Sequence, residues 1–187
     1  DLIQYKIEST LSCRRLKHVY AEARARLYLA DRFCLDYRSA LIAALWHDSC
    51  REWDELRLKR YARRFNMELT DLERRETVLL HGPAAAYRLF HELSCTDRDA
   101  WLAIRWHTTG DPRMGPLGLA LFIADFIEPL RDHLDDAKRE ELLSFGSLEE
   151  MVLHIYRMQC SWFEQQQISV DEHSLRLYRQ LEEQWGQ

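Results

Sequence analysis

The chain has 187 residues, of which 47% are hydrophobic and 30% charged, with a formal net charge of −5 and a pI near 5.9. This length fits one domain, residues 1–187, able to bury roughly 70% of its unfolded surface without a disulfide or metal staple. The acidic balance argues against sequence-independent nucleic-acid binding, which needs a basic surface, and no apolar run approaches the ~20 residues of a membrane helix.

With only 6 Gly and 4 Pro and heavy use of Leu, Ala, Arg and Glu, the chain reads as all-α. Five cysteines, Cys13, Cys34, Cys50, Cys95 and Cys160, stand without any CxxC pair. They suit the reduced thiols of a cytoplasmic protein better than a disulfide framework or a zinc knuckle. No signal or transit peptide is visible, and an opening at Asp1 without Met leaves room for a preceding segment or fused domain.

A first helix is predicted over Leu2 to Leu11, and a second from near Arg14 with Leu16, Val19, Tyr20, Ala23, Leu27 and Ala30 as its apolar face and His18 at the edge. Asp36 is the expected N-cap of the helix that delivers Trp46-His47-Asp48. Ahead of that triplet, Ala40, Ala43 and Ala44 share the face of His47, so a neighbouring helix can approach closely. An imidazole and a carboxylate at the buried end of such a helix need partners, and a metal ion satisfies both.

Arg51 to Phe65 is dense in charge, anchored by Trp53, Leu56 and Phe65, and is predicted as a solvated helix ended by Asn66. Thr70-Asp71-Leu72-Glu73 is a capping box that predicts a helix to about Leu80, where His81-Gly82-Pro83 interrupts and Pro83 enters the next first turn. Thr96 and Asp99 are the expected caps of a helix that carries Trp101, Leu102 and Ile104 and ends at His107. The turn-rich loop Thr108 to Pro116 follows, a type of segment that often holds ligands. From Pro116 a strongly apolar helix runs to Pro129, and Asp125 stands in it between pairs of apolar residues. Capping boxes at Ser147 and Ser169 open two C-terminal covering helices.

The anomalous groups are therefore His18, His47, Asp48, His81, His107 and Asp125, imidazole and carboxylate without thiolate. That set suits Fe, Mn or Zn in a hydrolytic site. The remaining histidines, His91, His133, His154 and His173, are read as packing or surface groups.

The order H…HD…H…H…D resembles that of the HD-domain metal-dependent phosphohydrolases. Several segments are similar to the symmetrical diadenosine tetraphosphate hydrolase branch: Arg15-Leu16-Lys17-His18, His81-Gly82-Pro83, Ala103 to Gly110, Met114 and Ile123 to Arg131. The resemblance covers about residues 14 to 180 and implies a single HD-domain helical bundle. There are two departures. Arg51 stands where relatives carry lysine, a fork in place of a point charge, and Ser174 to Arg179 resembles a closing Thr-Leu-x-x-Tyr-Asn pattern without its asparagine.

Carried onto these positions, the resemblance implies that His18, His47, Asp48 and Asp125 hold one metal ion, and that His81 and His107 hold a second with Asp48 bridging. Iron is the implied metal, with manganese as the alternative, and a metal-bound hydroxide the implied attacking group. Asp48, His81 and Arg51 then fall at the catalytic centre. Arg51, Arg113 and Arg131 are expected on the phosphate chain, and Thr108, Gly110 and Met114 around the nucleotide. The implied substrate is a dinucleoside polyphosphate split into two ADP, and a homodimer is compatible with this reading. Two alternatives stay open: an HD hydrolase of another nucleotide, whether a cyclic dinucleotide (though the Gly-Tyr-Pro signature of that branch is absent) or a nucleoside triphosphate, and a metal-stabilised interaction module of a longer fused protein.

Overall fold

The computed structural model describes residues 2–128 and 134–186, and the side chains of several positions in the first two helices, His18 among them, lie outside the described set. The described residues form eleven α-helices, one 3-10 turn and no strand. In chain order these are α1 (Leu2–Thr10), α2 (Cys13–Arg32), α3 (Tyr37–Trp46), α4 (Glu55–Arg64), α5 (Asp71–Arg75), the 3-10 turn Thr77–Leu80, α6 (His81–Leu93), α7 (Arg98–Trp106), α8 (Gly115–Phe126), α9 (Asp136–Ser144), α10 (Leu148–Gln166) and α11 (Glu172–Trp185). No described helix is long and apolar enough to cross a membrane.

Among the described residues, aspartates cap five of the eleven helix starts. Asp36, Asp54, Asp97, Asp135 and Asp171 each accept a hydrogen bond from a backbone N–H of the first turn, where a carboxylate also meets the positive end of the helix dipole. The chemistry of these caps corrects several predicted boundaries. Asp97, not Thr96 or Asp99, caps α7, and Asp171, not Ser169, caps α11. α4 begins only at Glu55, because residues 47–52 form successive turns, with Arg51 N–H donating to Asp48 O and Trp53 N–H to Cys50 O. Leu58 and Ala62 face the core there, while Leu56, expected as an anchor, is exposed.

The Thr70–Glu73 capping box forms as expected, yet α5 ends at Arg75 because Glu76 leaves the helical region at φ −101°, ψ 85°. The chain then tightens into the 3-10 turn that leads into α6. α9 was not anticipated at all.

Two packed clusters share the interior. The first joins α1, α3, α4, α6 and α7 around Trp46, Leu89 and Ile104, and the second joins α8, α10 and α11 around Ile123, Met151 and Ile155. The alanine face of α3 (Ala40, Ala43, Ala44) is buried, which lets α2 and α7 lie against it. The Trp46 indole N–H donates to the Ala85 carbonyl at 2.8 Å, pinning the end of α3 to α6. At the other end Ser39 donates to the Asp97 carboxylate at 2.6 Å, so the starts of α3 and α7 are also joined.

Candidate metal centre

Three histidines and one aspartate meet where α3 ends, α6 begins and α7 ends. His47, Asp48, His81 and His107 are all buried, at 0, 5, 3 and 3% exposure. Each imidazole directs Nδ1 at the carbonyl three residues back: His47 to Ala44 (3.1 Å), His81 to Val78 (2.6 Å) and His107 to Ile104 (2.8 Å). This pattern follows from local sequence position. A histidine at the tail of a helix or at the head of one that follows a 3-10 turn has the preceding turn's carbonyl within reach, and donating to it leaves Nε2 as the acceptor.

The three Nε2 atoms face Asp48. His81 and His107 lie 3.5 and 3.8 Å from Oδ1, and His47 lies 3.8 Å from Oδ2. These separations are too long for strong hydrogen bonds. His81 and His107 also bring Nε2 to within 3.1 Å of each other, although both Nδ1 atoms are occupied as donors. Two imidazole lone pairs face to face in a buried pocket repel unless a donor or a cation lies by them, and the single Thr108 hydroxyl proton can serve only one at a time. Ligand atoms of a common ion, bound at about 2.1 Å each, stand about 3–4 Å apart, so the donor set fits a divalent metal.

Burial pulls the His81 imidazole down to about pKa 4, against the attraction of Asp48, and holds His107 well below its usual value. Both are neutral at pH 7. Gly82 makes their approach feasible: a Cβ there would stand 3.3 Å from the His107 ring and from the carbonyls of Ile104 and Arg105. The turn carrying Asp48 is held from behind by Arg88, which donates to the Ser49 carbonyl at 3.2 Å, pairs with Glu92 and lies over Trp46 and Trp53. The α7 helix is held against α5 by a buried fork from Arg105 onto Glu73 at 2.5 and 2.8 Å.

Of the other predicted residues, two join this cluster. Thr108 Oγ1 lies 3.1 Å from His107 Nε2 and 3.3 Å from His81 Nε2, and Arg51 Nη1 lies 3.5 Å from His81 Nδ1. Asp125 sits half-buried in the last turn of α8, a helix packed on α2 and α3. The His18 side chain and all of Arg131 lie outside the described residues.

The expected nucleotide contacts from the 108–116 loop divide differently. Gly110 has φ +79°, and a Cβ there would overlap the Tyr156 hydroxyl, so its role is to let the loop pass α10. Arg113 forks onto buried Asp111 at 2.8 and 3.0 Å and lines a cavity of about 280 Å³ with Tyr87, Trp101 and His173. Met114 is packed at 2% exposure against Gly118.

Thr108 and Thr109 instead open onto a groove of about 650 Å³, lined by Phe122, Tyr156 and Phe163 on its apolar side and by Arg75, Gln159 and Ser169 among its polar groups. Sequence reasoning missed this groove. Its walls come from α5, α8, α10 and the loop before α11, and no local spacing signals that they meet.

No protein-family model matches the chain. It is 30% identical over 159 residues to a symmetrical bis(5′-nucleosyl)-tetraphosphatase of Staphylococcus aureus, covering 84% of this chain and 81% of that one. It is 33% identical over 125 residues to the protein of the same name from Bacillus subtilis, covering 67% of each. Among solved structures, the crystal structure of a predicted HD superfamily hydrolase involved in NAD metabolism from Clostridium acetobutylicum superposes with a TM-score of 0.88, at 25% identity, over 98% of this chain and 97% of that one.

Proposed function

We propose that this chain, which belongs to the symmetrical bis(5′-nucleosyl)-tetraphosphatase family, hydrolyses diadenosine tetraphosphate into two ADP. The observation that carries the reading is the convergence of three buried, tautomer-fixed imidazoles on Asp48 beside the Thr108 groove.

His47, Asp48, His81 and His107 would hold the metal, and Asp48, which faces all three imidazoles, would be the carboxylate shared if two ions bind. His18 and Asp125 complete the proposed set on the His47 side, in keeping with the mutual packing of α2, α3 and α8. Iron is the proposed metal, with manganese as the alternative, on the strength of the family resemblance, and N and O donors without thiolate are compatible with either. When bound, the metal supplies Lewis acidity to the phosphoryl group and lowers the pKa of a water.

The protein's own groups orient and screen the reaction. The Val78 and Ile104 carbonyls hold His81 and His107 in the ligating tautomer, and Thr108 offers a hydroxyl to an incoming phosphoryl oxygen. Arg51, beside His81, places a fork for phosphate oxygens at the mouth. The apolar side of the groove, from Phe122 and Tyr156 to Phe163, suits an adenosine, so the attacked phosphorus is the β-phosphorus of the half seated there. Chromatography of an early time point tests the reading. ADP alone is expected; equal AMP and ATP would refute symmetrical cleavage, and no turnover of any dinucleoside polyphosphate would favour the other nucleotide substrates.

A further inference from the structure

Two cavities are lined by residues that contact His81. The 650 Å³ groove reaches it through Thr108 and through Val78, whose carbonyl receives the His81 Nδ1 hydrogen bond. A second cavity of about 360 Å³ reaches it through Arg51, 3.5 Å from the same imidazole, and is floored by Leu58 and Trp53. Three residues, Arg75, Glu76 and Val78, line both. Each volume falls within the roughly 300–1,000 Å³ of small-molecule sites.

The arginines of this region differ in how they are engaged. Arg88, Arg105 and Arg113 are each paired with a carboxylate. Arg75 is exposed and makes one hydrogen bond from Nε to the Asp71 carbonyl at 3.3 Å, with no ion pair among the described residues. Its guanidinium is thus available on the ridge between the two cavities. Glu76 and Glu55 add acceptors for ribose hydroxyls rather than for phosphate.

Building on the hydrolase reading above, we propose that the enzyme seats both nucleoside halves of its substrate, one in each cavity, with Arg75 on the ridge gripping the phosphate chain that joins them. The groove with the aromatic side holds one half, and the smaller, more polar cavity holds the departing half. Arg75 is then a substrate-binding residue, and the smaller cavity is what distinguishes a two-headed substrate from a mononucleoside polyphosphate.

The test uses metal-loaded full-length protein with diadenosine tetraphosphate and adenosine 5′-tetraphosphate. Glu55→Trp adds bulk to the smaller cavity from a side chain that is 63% exposed, and Glu55→Leu, which also loses the carboxylate that accepts from Thr77 and Lys59 but adds no bulk, is the control for those lost contacts. Glu55→Trp should lower kcat/KM for the dinucleoside by about tenfold or more while sparing the mononucleoside substrate. Arg75→Ala should lower both by about tenfold, with partial rescue by Arg75→Lys. Calorimetric titration with ADP should find two molecules per wild-type chain and one in Glu55→Trp. A wild-type stoichiometry of one, or an equal response of the two substrates to Glu55→Trp, would overturn the two-cavity proposal; the stoichiometry depends on no variant's folding. Failure of the wild type to cleave the dinucleoside would instead overturn the hydrolase reading.

Discussion

Helix α7 and the loop after it stand between two buried polar assemblies of similar composition and opposite character. On one side His47, His81 and His107 surround Asp48 at distances no hydrogen bond explains, their acceptor atoms all turned inward. On the other, Asp111 is fully engaged: it accepts from the Arg113 backbone and guanidinium, and its Oδ2 lies 2.5 Å from His173 Nδ1, with the His173 ring stacked on Trp106. Desolvation raises the Asp111 pKa, but the bonds from Arg113 outweigh it and hold the carboxyl below its ordinary value. Both contain histidine and aspartate, so composition does not separate a ligand site from a fastener. What separates them is geometry: Asp111 sits at hydrogen-bond distance from Arg113, whereas three Nε2 atoms stand 3.5 to 3.8 Å from Asp48.

The strongest way to break the comparison is to remove a group from each. His47→Ala should lose most of the bound metal and more than about 100-fold of activity, since even residues behind a metal ligand commonly cost 10–100-fold. Full metal content by elemental analysis in that variant would sink the assignment. Asp111→Ala should do the reverse: metal per folded chain unchanged, stability lower by about 2–3 kcal/mol, because His173 and Arg113 lose their shared partner. Denaturant unfolding alongside metal analysis reads both quantities.

Acid provides a gentler probe. His81 takes up a proton near pH 6.5 when unfolded but only near pH 4 when folded, so below pH 6.5 the unfolded state binds more protons. Protein stripped of metal by a chelator should therefore lose stability progressively from pH 6.5 down to about 4, with His107 acting in the same direction. A thermal midpoint that stays flat over that range would contradict neutral burial of the two imidazoles. The smallest effect expected is from Ser174→Ala. It removes one of two hydroxyls, the other being that of Tyr156, that donate to the Thr109 carbonyl, and should cost about 1 kcal/mol by thermal unfolding while leaving the metal in place.

Much of the buried histidine and aspartate cluster was legible in the sequence because its signals are local. Alanines at helical spacing identified the close-packed face before His47, and His81 and His107 stood at helix boundaries marked by Gly-Pro and Thr-Thr-Gly. The helices themselves were legible through periodicity, and their starts less so. Where Asp97 stands beside Thr96 and Asp99, or Asp171 near Ser169, several side chains could cap by type, and the ones that accept from the first-turn N–H groups are Asp97 and Asp171. No local spacing in the 108–116 loop signals that Gly110, Asp111 and Met114 pack against α10, α11 and α8. The groove, the second cavity and the exposed Arg75 between them arise from the break at Glu76, whose departure from helix no residue preference announced.

The three carbonyls that hold the imidazoles have a consequence for what the protein must surrender when it takes up metal. With Nδ1 committed to Ala44, Val78 and Ile104, and with His81 and His107 already neutral at pH 7, neither of those two rings has a proton on Nε2 to be displaced. The usual coupling between metal capture and acid release is thereby weakened at these rings. Their contribution to the heat of metal uptake should be the same in buffers of very different ionisation enthalpy, and the rings need no tautomer exchange before an arriving ion can bind.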